Sequence, residues 1–178
     1  CSDNTDALDR LQIQYGTSFG YPVSAVGSHV SAVPNHQTGR ITSLHTRGVV
    51  AMAGTFGYEL NLGKLSEEEK VEEYRKFAPL IQTGLYYRLS DPAREEYAAW
   101  AFVSEDQKEV LLNVVLQEIH GNMTVNYVKL QGLKCSAIYR DTETGKSYNG
   151  AALMEAGIPM PVEMGEFKAY QMHLTAEE

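Results

Sequence analysis

The chain has 178 residues, of which 43% are hydrophobic, enough to bury one ordinary core or two small ones. Its 15 basic and 23 acidic residues give a formal net charge of −8, which would repel the phosphate backbone of a nucleic acid. No apolar run reaches the roughly 20 residues that a membrane-spanning helix needs, and two distant cysteines, Cys1 and Cys135, indicate no disulfide framework. We therefore expect no nucleic-acid partner, no membrane association and a cytoplasmic location, unless a segment preceding Cys1 carried a targeting signal.

The first seven residues are mostly polar, and an apolar helical pattern follows them directly. Because the chain begins with Cys1 rather than Met, we expect it to be the C-terminal part of a longer enzyme. Asp3 would then stand where a strand of a parallel α/β fold ends and its helix begins. Such folds carry their chemistry at these junctions.

Residues 2–6 allow two interpretations. In the first, the segment is only a helix N-terminus, with Asn4 or Thr5 as the N-cap and Asp6 in the first turn. In the second, Asp3 is a general acid/base and Asp6 is the neighbour that caps the helix. Glycosidases need such a carboxyl group to protonate the leaving oxygen. The spacing alone favours the first interpretation.

Residues 1–88 alternate short apolar strands with helical patterns, and this order predicts a parallel sheet. After the first helix, strands are predicted over residues 23–33 and 56–60, with a helix over residues 46–53 between them. Two strands with their helices cannot close a (β/α)8 barrel, which needs about 250 residues. This half is therefore expected to be a portion of a larger domain.

A third helix is predicted after the second strand. Ser66 and Glu69 have the spacing of a capping box, in which each side chain bonds the backbone of the other residue. Pro79 is expected to end or bend this helix, because proline removes a backbone donor.

Residues 89–178 are predicted to be all-β. Strands over residues 97–103 and 109–116 flank a polar turn at hairpin spacing. Several short strands with regular turn signals predict an antiparallel sandwich of five to seven strands. The remaining predicted elements are strands at 124–130, 137–140, 146–148 and 167–174 and a short helical turn at 151–156.

Four motifs in chain order resemble bacterial α-galactosidases of glycoside hydrolase family 36. A looser similarity continues through residues 148–154 and 157–159 into the closing domain of that family. The four motifs are CSDNTDA (residues 1–7), IQYGTSF (13–19), GSHVSAVPNHQTGR (27–40) and AMAGTFGYEL (51–60).

The resemblance implies a fold and a mechanism. The fold class would be α/β plus all-β: residues 1–88 would hold strands seven and eight of a catalytic (β/α)8 barrel with their helices, and residues 89–178 the C-terminal antiparallel β-sandwich. Asp3 would align with the general acid/base of a retaining mechanism, while the segment with the nucleophilic aspartate is absent. The chain alone should therefore be inactive, because a retaining glycosidase needs both carboxyl groups about 5–5.5 Å apart.

The same resemblance implies the substrate and the assembly. The parent enzyme would hydrolyse terminal α-galactosyl residues of raffinose- or melibiose-type oligosaccharides, without a cofactor or metal, and would be a homo-oligomer, with a tetramer familiar in the family. Weaker candidates for substrate binding or for support of the site are Ser2, Asn4, Asp6 and His29.

The alternative function is a non-catalytic β-sandwich module that binds carbohydrate or supports assembly. An exposed aromatic row would favour carbohydrate binding, and Trp100 with Phe102 is the candidate pair. However, aromatic residues that alternate in a strand more often form a core. The histidines His29, His36 and His45 have no spacing typical of a metal site.

Overall fold

The computed structural model describes residues 3–60, 72–122, 124–163 and 165–177. The described part of residues 1–84 contains three helices, two strands and a 3₁₀ turn at Val23–Ala25. The predicted first helix is confirmed, as is the helix between the two strands, which begins two residues earlier than predicted. In chain order these elements are α1 (Ala7–Thr17), β1 (Gly27–Ser31), α2 (Leu44–Ala51), β2 (Thr55–Glu59) and α3 (Glu72–Thr83).

Strands β1 and β2 are parallel, with a register that runs from Gly27 opposite Thr55 to Ser31 opposite Glu59. Strand β1 is shorter than the predicted strand over residues 23–33. Pro22 has an extended conformation and precedes the 3₁₀ turn, so the chain becomes a strand only after Val26. The predicted parallel pairing of two short strands is confirmed.

Two predictions about helix ends can be compared with the structure. The N-cap of α1 is Asp6, as the second interpretation of residues 2–6 expected, and not Asn4 or Thr5. Pro79 lies inside α3, which continues to Thr83. The apolar side chains around Pro79 are buried against the sheet, and this packing outweighs the lost backbone bond. The predicted capping box at Ser66 lies outside the described residues.

The second half is built around an antiparallel six-stranded sheet. Its strands, in the order of their pairing, are Leu85–Arg88 (β3), Tyr97–Val103 (β4), Glu109–Leu116 (β5), Ala169–Ala176 (β10), Ile138–Asp141 (β7) and Ser147–Asn149 (β8). The predicted strands at 97–103 and 109–116 are confirmed as β4 and β5. Leu85–Arg88, within the predicted barrel portion, forms β3 and pairs with β4. The other elements are β6 (Tyr127–Val128), α4 (Gly150–Glu155) and β9 (Ile158–Pro159).

Two of the predicted strands in this half were wrong in extent. The strand predicted at 124–130 is reduced to β6, which pairs only with β9 among the described residues. The last strand begins at Ala169 rather than at Phe167, because Phe167 has a φ of 60°, which a strand does not accommodate. An antiparallel sheet is thus confirmed, while the sandwich and the boundary at residue 88 stay predictions.

Each face of the large sheet is covered by a separate apolar cluster. On one face, Trp100 and Phe102 pack with Leu111 against residues of α1, α2 and α3. On the other face, Leu112 and Val114 pack against residues of the 128–160 segment. The first of these two clusters therefore forms a hydrophobic core that both halves of the chain share. None of the helices in the described ranges is long and apolar enough to cross a membrane.

Candidate active site

The candidate site is formed by residues 3–6, which precede α1, and by the loop of residues 32–40, which follows β1. Parallel strands end at the same edge of a sheet, so this loop lies at the edge where Glu59 ends β2. Ser28 and Val30 of β1 are buried on the side of the helices, and His29 projects from the opposite face.

Asp6 holds the loop onto the start of α1. Its carboxylate accepts the backbone N–H groups of Leu8 and Asp9 at 2.9 and 3.1 Å, which is the N-cap arrangement. Thr38 Oγ1 donates to the other oxygen, Oδ2, at 2.6 Å, while the Arg40 guanidinium forms an ion pair with Oδ1, the oxygen that also accepts the two amides. The side chain of Asp6 is therefore fully used inside the protein and is not free to bind substrate.

The electrostatics of Asp6 agree with this structural role. Burial would raise the pKa of Asp6, since only 2% of the residue is exposed. The hydrogen bonds from Thr38 and the helix amides, together with the charge of Arg40, outweigh burial and lower the pKa below its ordinary value of 3.8. Asp6 is therefore ionised at neutral pH.

Asn4 and Thr5 are also engaged within the protein. Asn4 Oδ1 accepts the backbone N–H of Asp6 at 2.8 Å, and its amide donates to Asp9 at 2.9 Å. Thr5 Oγ1 accepts the Asn35 amide at 3.0 Å. Of these two residues, Asn4 was a candidate for substrate binding, and the structure gives its side chain a part in fixing the turn.

Asp3 differs from its neighbours. Its side chain is exposed, and its carboxylate makes no hydrogen bond or ion pair within the described ranges. Its main-chain carbonyl, by contrast, accepts the side-chain amide of Gln37 at 3.3 Å. The backbone of Asp3 is thus held while its carboxyl group is open to a ligand. Ser2 lies outside the described residues.

His29 lies beside Glu59, with 2.7 Å between His29 Nε2 and Glu59 Oε2. The nitrogen is buried and lacks the alignment for a hydrogen bond with any described residue. Burial and the nearby charge of Arg10 lower the pKa of His29, and Glu59 opposes them only in part. His29 is therefore neutral at neutral pH, and none of its polar contacts in the described part of the chain reaches residues 3–6.

Arg10 and Gln14 are site-supporting residues that the sequence analysis missed. Buried on α1, Arg10 donates to the main-chain carbonyls of Asn4 at 3.1 Å and Gly27 at 2.6 Å. Gln14 accepts Ser28 Oγ at 2.8 Å and donates to the carbonyl of Val50. The signal was their four-residue spacing beside the apolar positions of α1, which places two polar side chains toward the core.

The described residues contain no group of three or more histidine, cysteine or acidic side chains that could hold an ion. Trp100 and Phe102 are 4% and 0% exposed, so the pair forms core and offers no aromatic platform for a sugar. What the arrangement provides is one open carboxyl group on a tightly fixed segment.

Comparisons with known proteins identify relatives along the whole chain. Residues 1–84 match the Melibiase family model, and residues 97–174 match that of the glycosyl hydrolase family 36 C-terminal domain. The bifunctional alpha-galactosidase/sucrose kinase of Mediterraneibacter gnavus is 58% identical over 98% of this chain and 19% of that protein. Alpha-galactosidase AgaA of Geobacillus stearothermophilus is 46% identical over 98% of this chain and 25% of that protein.

Solved structures give the same result. The galactosidase domain of the alpha-galactosidase–sucrose kinase matches with a TM-score of 0.95 and 57% identity, over 99% of this chain and 26% of that one. An AgaA variant in complex with raffinose matches with a TM-score of 0.93 and 45% identity, over 99% and 25%. The chain thus spans about a fifth to a quarter of the length of these relatives.

Proposed function

Because the chain belongs to glycoside hydrolase family 36, we propose that it is the C-terminal part of a retaining α-galactosidase, and that Asp3 is the general acid/base of that enzyme. The difference between Asp3 and its neighbours supports this role. The side chains of residues 4–6 serve the structure, while the carboxyl group of Asp3 is exposed on a backbone held by Gln37 of the loop that follows β1.

Asp3 would act twice in the reaction. It would first protonate the glycosidic oxygen as the galactosyl group passes to a nucleophilic carboxylate, and would then take a proton from the water that releases galactose. The nucleophile would come from a preceding barrel strand that this chain does not contain. The 178-residue polypeptide alone should therefore be inactive.

The substrates we propose are oligosaccharides with a terminal α-galactosyl residue, of the raffinose or melibiose type. A relative that is 45% identical over this region was solved in complex with raffinose, and another variant of it in complex with stachyose. We further propose that the full-length protein is a homo-oligomer located in the cytoplasm, and that it needs no cofactor.

The test is the substitution Asp3→Ala in the full-length protein. Raffinose has a poor leaving group that needs protonation, whereas a dinitrophenyl α-galactoside has a leaving group that departs without it. General acid catalysis contributes roughly 10²–10⁴-fold, so kcat/KM should fall by about that factor for raffinose and far less for the aryl galactoside. Asp106→Ala, an exposed aspartate in the turn between β4 and β5, is the matched control. Equal losses on both substrates would show that Asp3 is not the acid.

A further inference from the structure

Gln37 bridges the backbone on both sides of Asn4. Its side-chain nitrogen donates to the main-chain carbonyl of Asp3 at 3.3 Å, and its side-chain oxygen accepts the backbone N–H of Thr5 at 3.2 Å. One primary amide thus pairs with a carbonyl and an N–H two residues apart, as a neighbouring strand would. Gln37 itself is exposed, so this contact is not a consequence of core packing.

Hydrogen bonds within the loop of residues 35–40 hold the backbone that carries Gln37. Asn35 is 5% exposed, and its side-chain oxygen accepts the backbone N–H groups of Gln37 and Thr38 at 2.9 and 3.0 Å. Backbone bonds from Asn35 to the carbonyl of Arg40 and from Gly39 to the carbonyl of Asn35 close the loop at 2.9 and 2.8 Å. The backbone from which the Gln37 side chain projects is therefore held in place by a buried neighbour.

We propose that Gln37 is a positioning residue for Asp3, acting through the main chain and never touching the substrate. The inference rests on the proposed role of Asp3 as general acid/base. The two bonds fix the peptide groups that flank Asn4, and they thereby fix the direction in which the carboxyl group of Asp3 leaves the backbone. A misplacement of about 1 Å can cost roughly 10²-fold in rate, so even a small release of this segment should be visible in catalysis.

The side-chain chemistry at position 37 is specific. The contact needs one donor and one acceptor on a single planar group, and glutamine provides both. An ionised glutamate could accept from Thr5 but could not donate to the carbonyl of Asp3. Methionine has a similar length and shape and can make neither bond, so Gln37→Met removes the bridge with little change in volume.

The test compares Gln37→Met with the unmodified full-length protein on raffinose and on a dinitrophenyl α-galactoside. We expect kcat/KM for raffinose to fall by about 10- to 100-fold and that for the aryl galactoside by less than about threefold, because only the first reaction needs the acid in place. Gln82→Met, an exposed glutamine near the end of α3, should change neither value. Because Gln37 is exposed, the melting temperature should stay within a few degrees.

Two other results would overturn the inference. A loss that is equal on both substrates would mean that Gln37 supports the fold of the site rather than the acid, and no loss on either would mean that the bridge is dispensable. Asp3→Ala measured in parallel separates this inference from the proposed function. If the loss of kcat/KM caused by Asp3→Ala depends on the leaving group and the loss caused by Gln37→Met does not, only the role of Gln37 is wrong. If Gln37→Met is unstable, Gln37→Ala replaces it, measured at a temperature at which this variant and the unmodified protein are both folded. The loss of kcat/KM on raffinose relative to the loss on the aryl galactoside then decides in the same way.

Discussion

Asp6 joins three parts of the molecule through one carboxylate: the start of α1, the hydroxyl of Thr38 and the guanidinium of Arg40. Replacing an N-cap side chain by alanine costs about 0.5–2 kcal/mol, and here a buried charge pair is broken as well. Asp6→Ala in the full-length protein should therefore make the amides of the first turn of α1 exchange at least about 2- to 30-fold faster. Hydrogen exchange read by mass spectrometry measures this, with Asp106→Ala as the control.

The same residue predicts a pH dependence. Because the pKa of Asp6 is lowered below 3.8 in the folded protein, the fold favours the ionised form. Its contribution to stability is complete above about pH 4 and is lost as the pH falls through the lowered pKa. The difference in exchange between Asp6→Ala and the unmodified protein should consequently shrink between pH 7 and pH 3. A difference that stays as large at pH 3 would contradict this.

The candidate site was predictable from sequence only where its signals are local. A few adjacent residues allowed two interpretations of the segment around Asp3, and the family resemblance favoured the one in which Asp6 is the capping neighbour. The structure agrees that Asp6 caps α1. Gln37 and Arg10 bond to groups that lie 34 and 17 residues away in sequence. Such pairs depend on how the loop after β1 packs against α1. Residue spacing in the sequence does not show this packing.

At the scale of the elements, Gly150 at the start of α4 is the most constrained small residue of the β7–β8 region. A Cβ atom there would lie 2.3 Å from the carbonyl oxygen of Lys134 and 3.1 Å from the ring of Tyr139. The nearest group is backbone and cannot turn away, so Gly150→Ala should cost about 1–3 kcal/mol through overpacking.

The measurement is hydrogen exchange of the peptides that contain β7, β8 and α4. Exchange should become about 5- to 150-fold faster in Gly150→Ala, the factor that corresponds to that cost. Gly121→Ala is the matched control, because a Cβ atom at that position meets nothing within 4 Å. Unchanged exchange in Gly150→Ala would mean that α4 can shift away from Lys134 at little cost.

Elements were predicted well where pattern and packing agree. The hairpin of β4 and β5 has a polar turn between two apolar runs, and both strands have the predicted ends. Pro79 was expected to end or bend α3. It does not end the helix: Phe77, Leu80 and Ile81 around it are all buried, and with this tertiary packing α3 continues to Thr83. A bend at Pro79 stays a prediction. Local propensity alone cannot include that contribution.

For the whole molecule, the shared core decides how the parts of the chain behave in isolation. The helices α1, α2 and α3 cover one face of the six-stranded sheet, so removing them would expose the side of Trp100 and Phe102 to water. Strands β1 and β2 instead pair only with each other among the described residues. Their outer edges are the part of this chain that preceding barrel strands would cover.

Limited proteolysis should therefore distinguish the isolated 178-residue polypeptide from the full-length protein. We expect chymotrypsin to cleave the isolated chain first within residues 18–43, where Phe19 and Tyr21 are 64% and 67% exposed and where the neighbours expected in a (β/α)8 barrel would be missing. Peptides from β4, β5 and β10 should persist longest, because their amides lie in the centre of the sheet. In the full-length protein the same sites should resist cleavage. Early cleavage within β4 or β5, or equal cleavage at residues 18–43 in both proteins, would contradict the assignment of this region to a larger barrel.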